Sequence, residues 1–294
     1  MPRSKLIAHD APARPRQAVG KKTYHANSGP SSKPARTAAV KGYQGIAKFY
    51  DDFFSPFHVP LDKARAKVLG PILRRVRTVC DLGSGTGTTA LSLASTGIKV
   101  YAVDLSPGMC GIARRKARQA QLPLHVLQAD MRGFRLPETV DLIVCEGDAL
   151  NHIPKSSDLR RVVESAFRAL CPGGYFFFDV NNRLGFQRYW NGAVCLETPG
   201  VFMVMRNAHS RDGQRAISDI DCFVREGRLW RRHYERVEEV CWTAQEIRRI
   251  LSETGFDAVR AWDASPFFGA KSIVTPGCRT VYLAHRPDGK GRAG

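Results

Sequence analysis

The residues best suited to chemistry are three aspartates that each follow an apolar segment, with a run of glycines beside the first. Asp81 opens the loop Asp-Leu-Gly-Ser-Gly-Thr-Gly, and a helical pattern of apolar residues begins directly after it. Asp104 and Asp130 follow the next two apolar segments. Glycines let a backbone turn sharply and approach a ligand closely, because no Cβ atom collides with the ligand. Strand, glycine loop and helix form half of a nucleotide-binding βαβ unit, so the stretch predicts a ligand site.

Spacing alone leaves two ligands open for this loop, a nicotinamide dinucleotide and S-adenosylmethionine. The pattern G-x-G-x-x-G fails from Gly83, because Thr88 stands at its last position, whereas G-x-G-x-x-A is met from Gly85. The carboxylate of Asp81 would repel an anionic pyrophosphate. The methionine part of S-adenosylmethionine carries an ammonium and a sulfonium, which suit an acidic strand end. Asp104 can accept from the ribose hydroxyls of either ligand, so it does not distinguish the two. The charge of Asp81 therefore decides, and it favours S-adenosylmethionine.

The elements that position these residues alternate between strand and helix, which predicts a parallel α/β sheet. The predicted strands end near residues 81, 104, 128, 145 and 180, and two more cover residues 257–263 and 279–285. The predicted helices between and after them cover residues 108–121, 157–170 and 244–254. Three segments with strand-like alternation, at 193–207, 215–225 and 228–242, predict a small antiparallel sheet inserted after the fifth strand.

An aromatic segment precedes the first strand. Tyr43, Ile46, Ala47, Tyr50 and Phe54 have helical spacing, and a second, basic amphipathic helix is predicted over residues 61–75. The aromatic face can serve ordinary core packing, or it can fold over a small-molecule pocket.

Charge and composition predict three regions in the chain of 294 residues, which has a formal net charge of +18. Residues 1–40 are rich in Pro, Ala, Ser, Lys and Arg, so we predict a disordered basic N-terminal extension. A single domain over residues 41–285 would follow, containing the antiparallel insert at 190–242, and residues 286–294 would form a tail. The excess of basic residues is compatible with two kinds of partner, an anionic small molecule and a nucleic acid.

Cysteine usage and hydropathy bear on the compartment. The chain has eight cysteines and no C-x-x-C pair, which indicates reduced thiols in a cytoplasmic protein rather than disulfides or a metal site. No apolar run approaches the length of a membrane span, so we expect no membrane partner.

Five motifs, in order, resemble those of class I S-adenosylmethionine-dependent methyltransferases, and the resemblance covers roughly residues 43–285. The motifs are Asp81-Leu-Gly-Ser-Gly-Thr-Gly, Val103-Asp-Leu-Ser-Pro-Gly-Met, Gln128-Ala-Asp-Met-Arg, Val140-Asp-Leu-Ile-Val-Cys and Leu170-Cys-Pro-Gly-Gly. The resemblance implies an α/β fold with a Rossmann-like seven-stranded sheet, whose last strand is antiparallel. It also implies the cofactor S-adenosylmethionine.

The resemblance assigns cofactor-binding roles along these motifs. The methionine portion would lie against Asp81, Gly83, Ser84, Gly85 and Gly87. The ribose hydroxyls would bind Asp104, and the adenine would lie between Leu105 and Met109, beside Met131, with its amino group donating to Asp130. Glu146 and Asp148, after the fourth strand, complete the predicted cofactor-binding set.

Within the family, the aromatic first helix and the insert resemble small-molecule N-methyltransferases, namely the amino-sugar N,N-dimethyltransferases and the glycine N-methyltransferase group. The predicted catalytic residues are Tyr43 and Tyr50, which would orient the nucleophile, and His152 and His233, which can take a proton. Glu146 is a further candidate for the proton acceptor.

The leading hypothesis for function is methyl transfer from S-adenosylmethionine to a small-molecule nucleophile, an amine, by in-line displacement. A methyltransferase of RNA or protein, tethered by the basic extension, is the first alternative. Against it, Glu146-Gly-Asp-Ala stands where enzymes that methylate the amino groups of bases carry Asn/Asp-Pro-Pro-Tyr. A non-catalytic protein that binds S-adenosylmethionine is the second alternative. The oligomeric state and the acceptor stay open.

Overall fold

The computed structural model describes Tyr43, residues 46–268 and residues 276–289. The predicted basic extension and the end of the predicted tail lie outside the described residues. Within that part of the chain, no helix is long and apolar enough to cross a membrane.

The described chain contains two β-sheets and seven α-helices. The strands are β1 Thr78–Leu82, β2 Lys99–Asp104, β3 Leu124–Gln128, β4 Val140–Cys145, β5 Leu170–Asn181, β6 Gly192–Thr198, β7 Val201–His209, β8 Arg215–Glu226, β9 Leu229–Val240, β10 Asp257–Asp263 and β11 Arg279–His285. The helices are α1 Tyr50–Leu73, α2 Thr88–Ala94, α3 Pro107–Ala120, α4 Ser156–Ala169, α5 Arg183–Tyr189, α6 Ala244–Thr254 and α7 Ser265–Phe268.

The larger sheet has seven strands in the order β10-β11-β5-β4-β1-β2-β3. Strands β1 to β5 run parallel, and β11 is antiparallel to both β5 and β10. This topology confirms the predicted fold class. The carboxyl ends of the parallel strands share one edge, and the strand order reverses between β4 and β1, where open α/β sheets bind their ligands. The fold therefore brings the three predicted aspartates to one crevice.

Apolar side chains cover both faces of the larger sheet. One cluster includes Ile143, Phe178 and Leu251, and the other includes Val79, Leu142 and Phe177. Because parallel strands covered on both faces are buried throughout, they read in the sequence as continuous apolar runs. This burial explains why β2 and β4 are recognisable in the sequence as apolar runs, and both end at the predicted residues 104 and 145.

The smaller sheet has four antiparallel strands, β6 to β9, rather than the three segments predicted. The predicted single segment 193–207 folds back on itself, because Gly200 adopts a left-handed φ of +81° in the turn between β6 and β7. The inner face of this sheet packs on Ile46 and Phe53 through Met203, Ile220 and Val237. The insert therefore closes over the segment that leads into α1.

Two other expectations need correction. The end of the aromatic segment, from Tyr50, and the predicted helix 61–75 belong to one continuous helix, α1, and a 3-10 helix, Ala47–Phe49, precedes it. Phe53, Ala64 and Leu69 of α1 are buried. Strand β5 begins at Leu170 rather than Tyr175, because backbone hydrogen bonds with Arg286 hold the Pro-Gly-Gly segment in the strand.

Candidate active site

A cavity of about 320 Å³ lies at the carboxyl edge of the larger sheet. Its walls come from the loops after β1, β2, β3 and β4, from α1 and from β9 of the insert. Fourteen of the predicted site residues line it: Tyr43, Tyr50, Asp81, Gly83, Ser84, Gly85, Asp104, Leu105, Met109, Asp130, Met131, Glu146, Asp148 and His152.

Two predicted residues are not in the cavity wall. Gly87 lies at the start of α2 with φ +79°, and a Cβ there would come 2.9 Å from the Cβ of Ala113, so this glycine serves helix packing. His233 lies on β9 opposite Cys222 and does not line the cavity. Position along β9 decides this, because the strand lines the cavity nearer its end, at Arg236, Val237 and Glu238.

The glycine loop is held by the end of β2. The amides of Gly83 and Ser84 donate to the carbonyl of Val103 at 2.8 and 3.0 Å. The carboxylate of Asp104 accepts from the amide of Gly85 at 2.8 Å and from the amide of Ser106 at 2.8 Å. Asp104 thus fixes two loops of the cavity floor, while each of its oxygens keeps a further lone pair for a ligand.

Asp81 is buried at the end of β1, with 2 % of its surface exposed. Its Oδ2 atom and the hydroxyl of the neighbouring Ser84 have no hydrogen-bond partner among the described residues. Burial raises the pKa of Asp81 to about 7, although the charge of Arg65 acts in the opposite direction. A buried carboxylate oxygen without a partner is costly, so this position favours a cationic ligand.

Arg65, on the inner face of α1, forms a buried ion pair with Glu146 after β4. Thr89 on α2 also donates to Glu146 at 3.0 Å. Burial raises the pKa of Glu146 to about 8 despite the neighbouring guanidinium. One positive charge therefore faces two buried carboxylates, those of Glu146 and Asp81. Arg65 was not predicted from the sequence, although an arginine within the apolar stripe of α1 was a usable signal.

A second buried network supports the loop after β4. Asp179, at the end of β5, accepts from the amides of Gly147 and Asp148 at 2.8 and 3.1 Å. Arg279 on β11 forms ion pairs with Asp179 at 2.5 Å and with Asp148 at 2.9 Å. Arg279 and Asp179 were not predicted, because their partners lie far away in the sequence.

Aromatic rings close the end of the cavity nearest the insert. The rings of Tyr43 and Tyr50 meet edge to face at 5.5 Å, and Tyr43 meets His152 at 5.7 Å. Burial, with nearby carboxylates, raises the pKa of both tyrosines, so both stay protonated at neutral pH. Burial lowers the pKa of His152, which keeps the imidazole neutral and able to accept a proton.

Asp130 is paired with its neighbour. Both of its oxygens accept from the Nε of Arg132 at 3.0 Å, and its Oδ1 also accepts from the amide of Arg132 at 2.9 Å. These hydrogen bonds lower the pKa of Asp130, so it is ionised and remains an acceptor. Among the described residues, no cluster of His, Cys, Asp and Glu could hold a metal ion.

A family model described as a methyltransferase domain matches residues 79–174, which extend from β1 into β5. The chain therefore carries a methyltransferase domain, and it is similar to class I S-adenosylmethionine-dependent methyltransferases. The methyltransferase is 29% identical over 222 residues to the putative methyltransferase YqeM of Bacillus subtilis, covering 74% of this chain and 87% of that protein.

Two further comparisons cover more of the methyltransferase. It is 27% identical over 249 residues to dTDP-4-amino-2,3,4,6-tetradeoxy-D-glucose N,N-dimethyltransferase of Saccharopolyspora spinosa, covering 82% of this chain and 89% of that enzyme. The crystal structure of an S-adenosylmethionine-dependent methyltransferase from Clostridium acetobutylicum superposes with a TM-score of 0.68 at 22% identity, covering 83% of this chain and 99% of that one. The similarity in structure shows the shared fold.

The cavity of the methyltransferase fits its cofactor. The unpartnered Oδ2 of Asp81 and hydroxyl of Ser84 lie beside the glycine loop, where the charged methionine portion would bind. A Cβ at Gly83 would come 3.0 Å from the Cβ of Ala149, so the loop needs glycine to stay close to the loop after β4. Asp104 retains acceptor capacity for the ribose hydroxyls.

We expect affinity for S-adenosylmethionine to fall as the pH drops below about 7. The positive charges of the cofactor favour ionised Asp81, so binding below its pKa of about 7 must expel a proton. The dissociation constant should then rise by up to about tenfold per pH unit. Calorimetry from pH 5.5 to 8, in two buffers of different ionisation enthalpy, measures affinity and proton release together. Glu146 titrates in the same direction, so the assignment depends on Asp81→Asn, which should flatten the profile; an equally steep profile in that variant would contradict it.

Proposed function

We propose that the methyltransferase transfers a methyl group to the nitrogen of a small-molecule amine, with an amino sugar as the favoured acceptor class. The charge of the cavity wall carries the proposal. Six carboxyl groups line it, together with the guanidiniums of Arg132 and Arg236. Arg65 and Arg279, outside the lining, pair with Glu146 and Asp148, so the acidic groups still outnumber the cations although the whole chain has a net charge of +18. An acidic cavity in a basic protein favours cationic ligands, and both S-adenosylmethionine and an ammonium are cationic.

The proposed chemistry needs alignment, exclusion of water and removal of one proton. Bound S-adenosylmethionine supplies a methyl group on a sulfonium, which is an activated leaving group. The half-buried Tyr43 and Tyr50 rings exclude water and narrow the approach to the methyl group. Because an ammonium has no lone pair, it must lose a proton before it attacks, and neutral His152 is placed to take that proton.

The similarity to an amino-sugar N,N-dimethyltransferase supports the acceptor class, because that similarity extends through the insert. A methyltransferase of RNA is the weaker candidate, because the acidic wall would repel a polyanion at the reaction centre. We also propose a cytoplasmic location, since all eight cysteines are free.

The experiment is a panel of acceptors matched in shape. Formation of S-adenosylhomocysteine would be measured with dTDP-4-amino-2,3,4,6-tetradeoxy-D-glucose, its 4-hydroxy counterpart, glycine and a transcript of mixed sequence. We expect turnover with at least one amine and none above background with the hydroxyl compound or the RNA. Turnover with the hydroxyl compound or the RNA alone would overturn the proposal.

A further inference from the structure

Glu239 is a buried carboxylate beside the proposed proton acceptor, and the mechanism above does not use it. It lies on β9 with 3 % of its surface exposed. Its Oε1 is 4.0 Å from Nε2 of His152, and its Oε2 has no hydrogen-bond partner among the described residues. A buried carboxylate with an open oxygen needs a physical reason, because burial without a partner costs stability.

The buried charges near Glu239 do not balance. Arg279 is the cation of this cluster, and among the described residues it forms ion pairs with Asp148 and Asp179. Asn181 gives Glu239 a hydrogen bond, but it is neutral. Burial and the charge of Asp148 accordingly raise the pKa of Glu239 well above its usual range. A positive charge arriving at this position would therefore favour the ionised carboxylate.

The fold fixes the separation between Glu239 and His152. Along β9, residues 235, 237 and 239 are buried while 234, 236 and 238 are exposed, so Glu239 points inward. His152 lies in the 3-10 turn after β4. The buried Asn151 of that turn donates to the carbonyls of Val240 and Asn181, each at 2.9 Å. These bonds attach the insert to the sheet directly beside the two side chains.

We propose that Glu239 is a positioning residue, whose carboxylate stabilises the positive charge that His152 acquires on taking a proton from the acceptor ammonium. The proposal rests on the proposed function. In this step an N–H bond of the ammonium breaks and a bond forms between the proton and an imidazole nitrogen. The amine keeps the electron pair of the broken bond as its lone pair. Binding of the cationic acceptor has by then displaced the proton of Glu239 to solvent, so the imidazolium forms against an ionised carboxylate. The groups that face His152 and influence this transfer are Tyr43, Asp104, Asp148, the backbone of Glu238 and Glu239.

The test replaces Glu239→Gln, which keeps the shape of the side chain and removes its charge. We expect kcat with the amine acceptor to fall about tenfold to hundredfold, which is part of the usual contribution of a general base. The acidic limb of the pH profile of kcat should move to lower pH, because the imidazolium loses its neighbouring anion. Affinity for S-adenosylmethionine should stay within about twofold.

Stability separates this role from a purely structural one. Since Glu239→Gln removes an unbalanced buried charge, we expect its melting temperature to match or exceed that of the unchanged protein. The exposed Glu226 of the same insert, paired with Arg231, gives the matched control Glu226→Gln, which should change neither rate nor pH profile. Glu239→Asp keeps the charge and should retain more activity than Glu239→Gln.

The two failures can be told apart. If the unchanged protein methylates an amine and Glu239→Gln keeps both its rate and its acidic limb, the role of Glu239 is overturned while the proposed function stands. The same conclusion holds if Glu239→Gln melts several degrees lower without a shift in the limb. If the unchanged protein methylates no amine, the proposed function is overturned and this inference with it.

Discussion

Replacing Asp104→Ala should weaken binding of S-adenosylmethionine by at least about a hundredfold. The carboxylate organises the glycine loop through the amide of Gly85 and the next loop through the amide of Ser106, both at 2.8 Å. It is also the acceptor predicted for the ribose hydroxyls. Each hydrogen bond to a charged group contributes about 1.5–3 kcal/mol, so losing two or more corresponds to that decrease in affinity.

The matched control for this prediction is Asp141→Ala, at the opposite edge of the same sheet. Asp141 accepts from the amides of Arg77 and Thr78 at 2.8 and 3.0 Å, so it makes a comparable number of backbone contacts. We expect that variant to lose stability but to keep its affinity for the cofactor. Calorimetric titration of both variants decides the matter, and equal losses of affinity would show that Asp104 acts only on the fold.

Replacing Arg65→Met should cost about 3–5 kcal/mol of unfolding free energy, because it leaves the buried carboxylates of Glu146 and Asp81 without their shared cation. The loss of unfolding free energy should grow as the pH rises through the pKa values of Asp81, about 7, and Glu146, about 8. Above these pKa values both side chains are ionised, and the variant has no cation to pair with them. Urea unfolding at pH 6 and pH 8.5 measures both the loss and its slope.

Two further variants make this result specific. The double variant Arg65→Met with Glu146→Gln should regain most of the lost stability, because only one buried carboxylate then lacks a cation. The exposed pair of Arg160 and Glu253 provides the control, since Arg160→Met should cost at most about 1 kcal/mol. If Arg65→Met and Arg160→Met lose the same free energy of unfolding, burial of the Arg65 ion pair contributes no additional stability, and the prediction is wrong.

Most of the fold and of the cofactor site could be predicted from the sequence, for a physical reason. Burial on both faces makes the parallel strands continuous apolar runs, and the carboxyl ends of those strands share one edge. Asp81, Asp104 and Asp130 therefore had to converge once the strands were recognised. The helix α6 was equally accessible, because its capping box at Thr243 and Glu246 is a local contact.

The errors lie where local patterns do not determine the outcome. The hairpin of β6 and β7 depends on a left-handed glycine inside an otherwise strand-like segment. Position along β9 separates His233 from Glu239: both are strand residues with titratable side chains, but only Glu239 lies near His152, at 4.0 Å, and only His233 was predicted from the sequence. The two side chains have the same parity on the strand, so local alternation does not distinguish them; only the packing of the end of β9 against the turn that holds His152 does.

The sequence by itself determined the α/β class, the glycine loop and the acids at the strand ends, because each depends on periodicity or on neighbours a few residues away. The tertiary structure alone decided the charge balance of the cavity. Arg65 meets Glu146 across 81 positions, and Arg279 meets Asp148 across 131. Contacts between residues so far apart leave no mark on local pattern, because packing of whole elements brings them together and sets the electrostatics of the site.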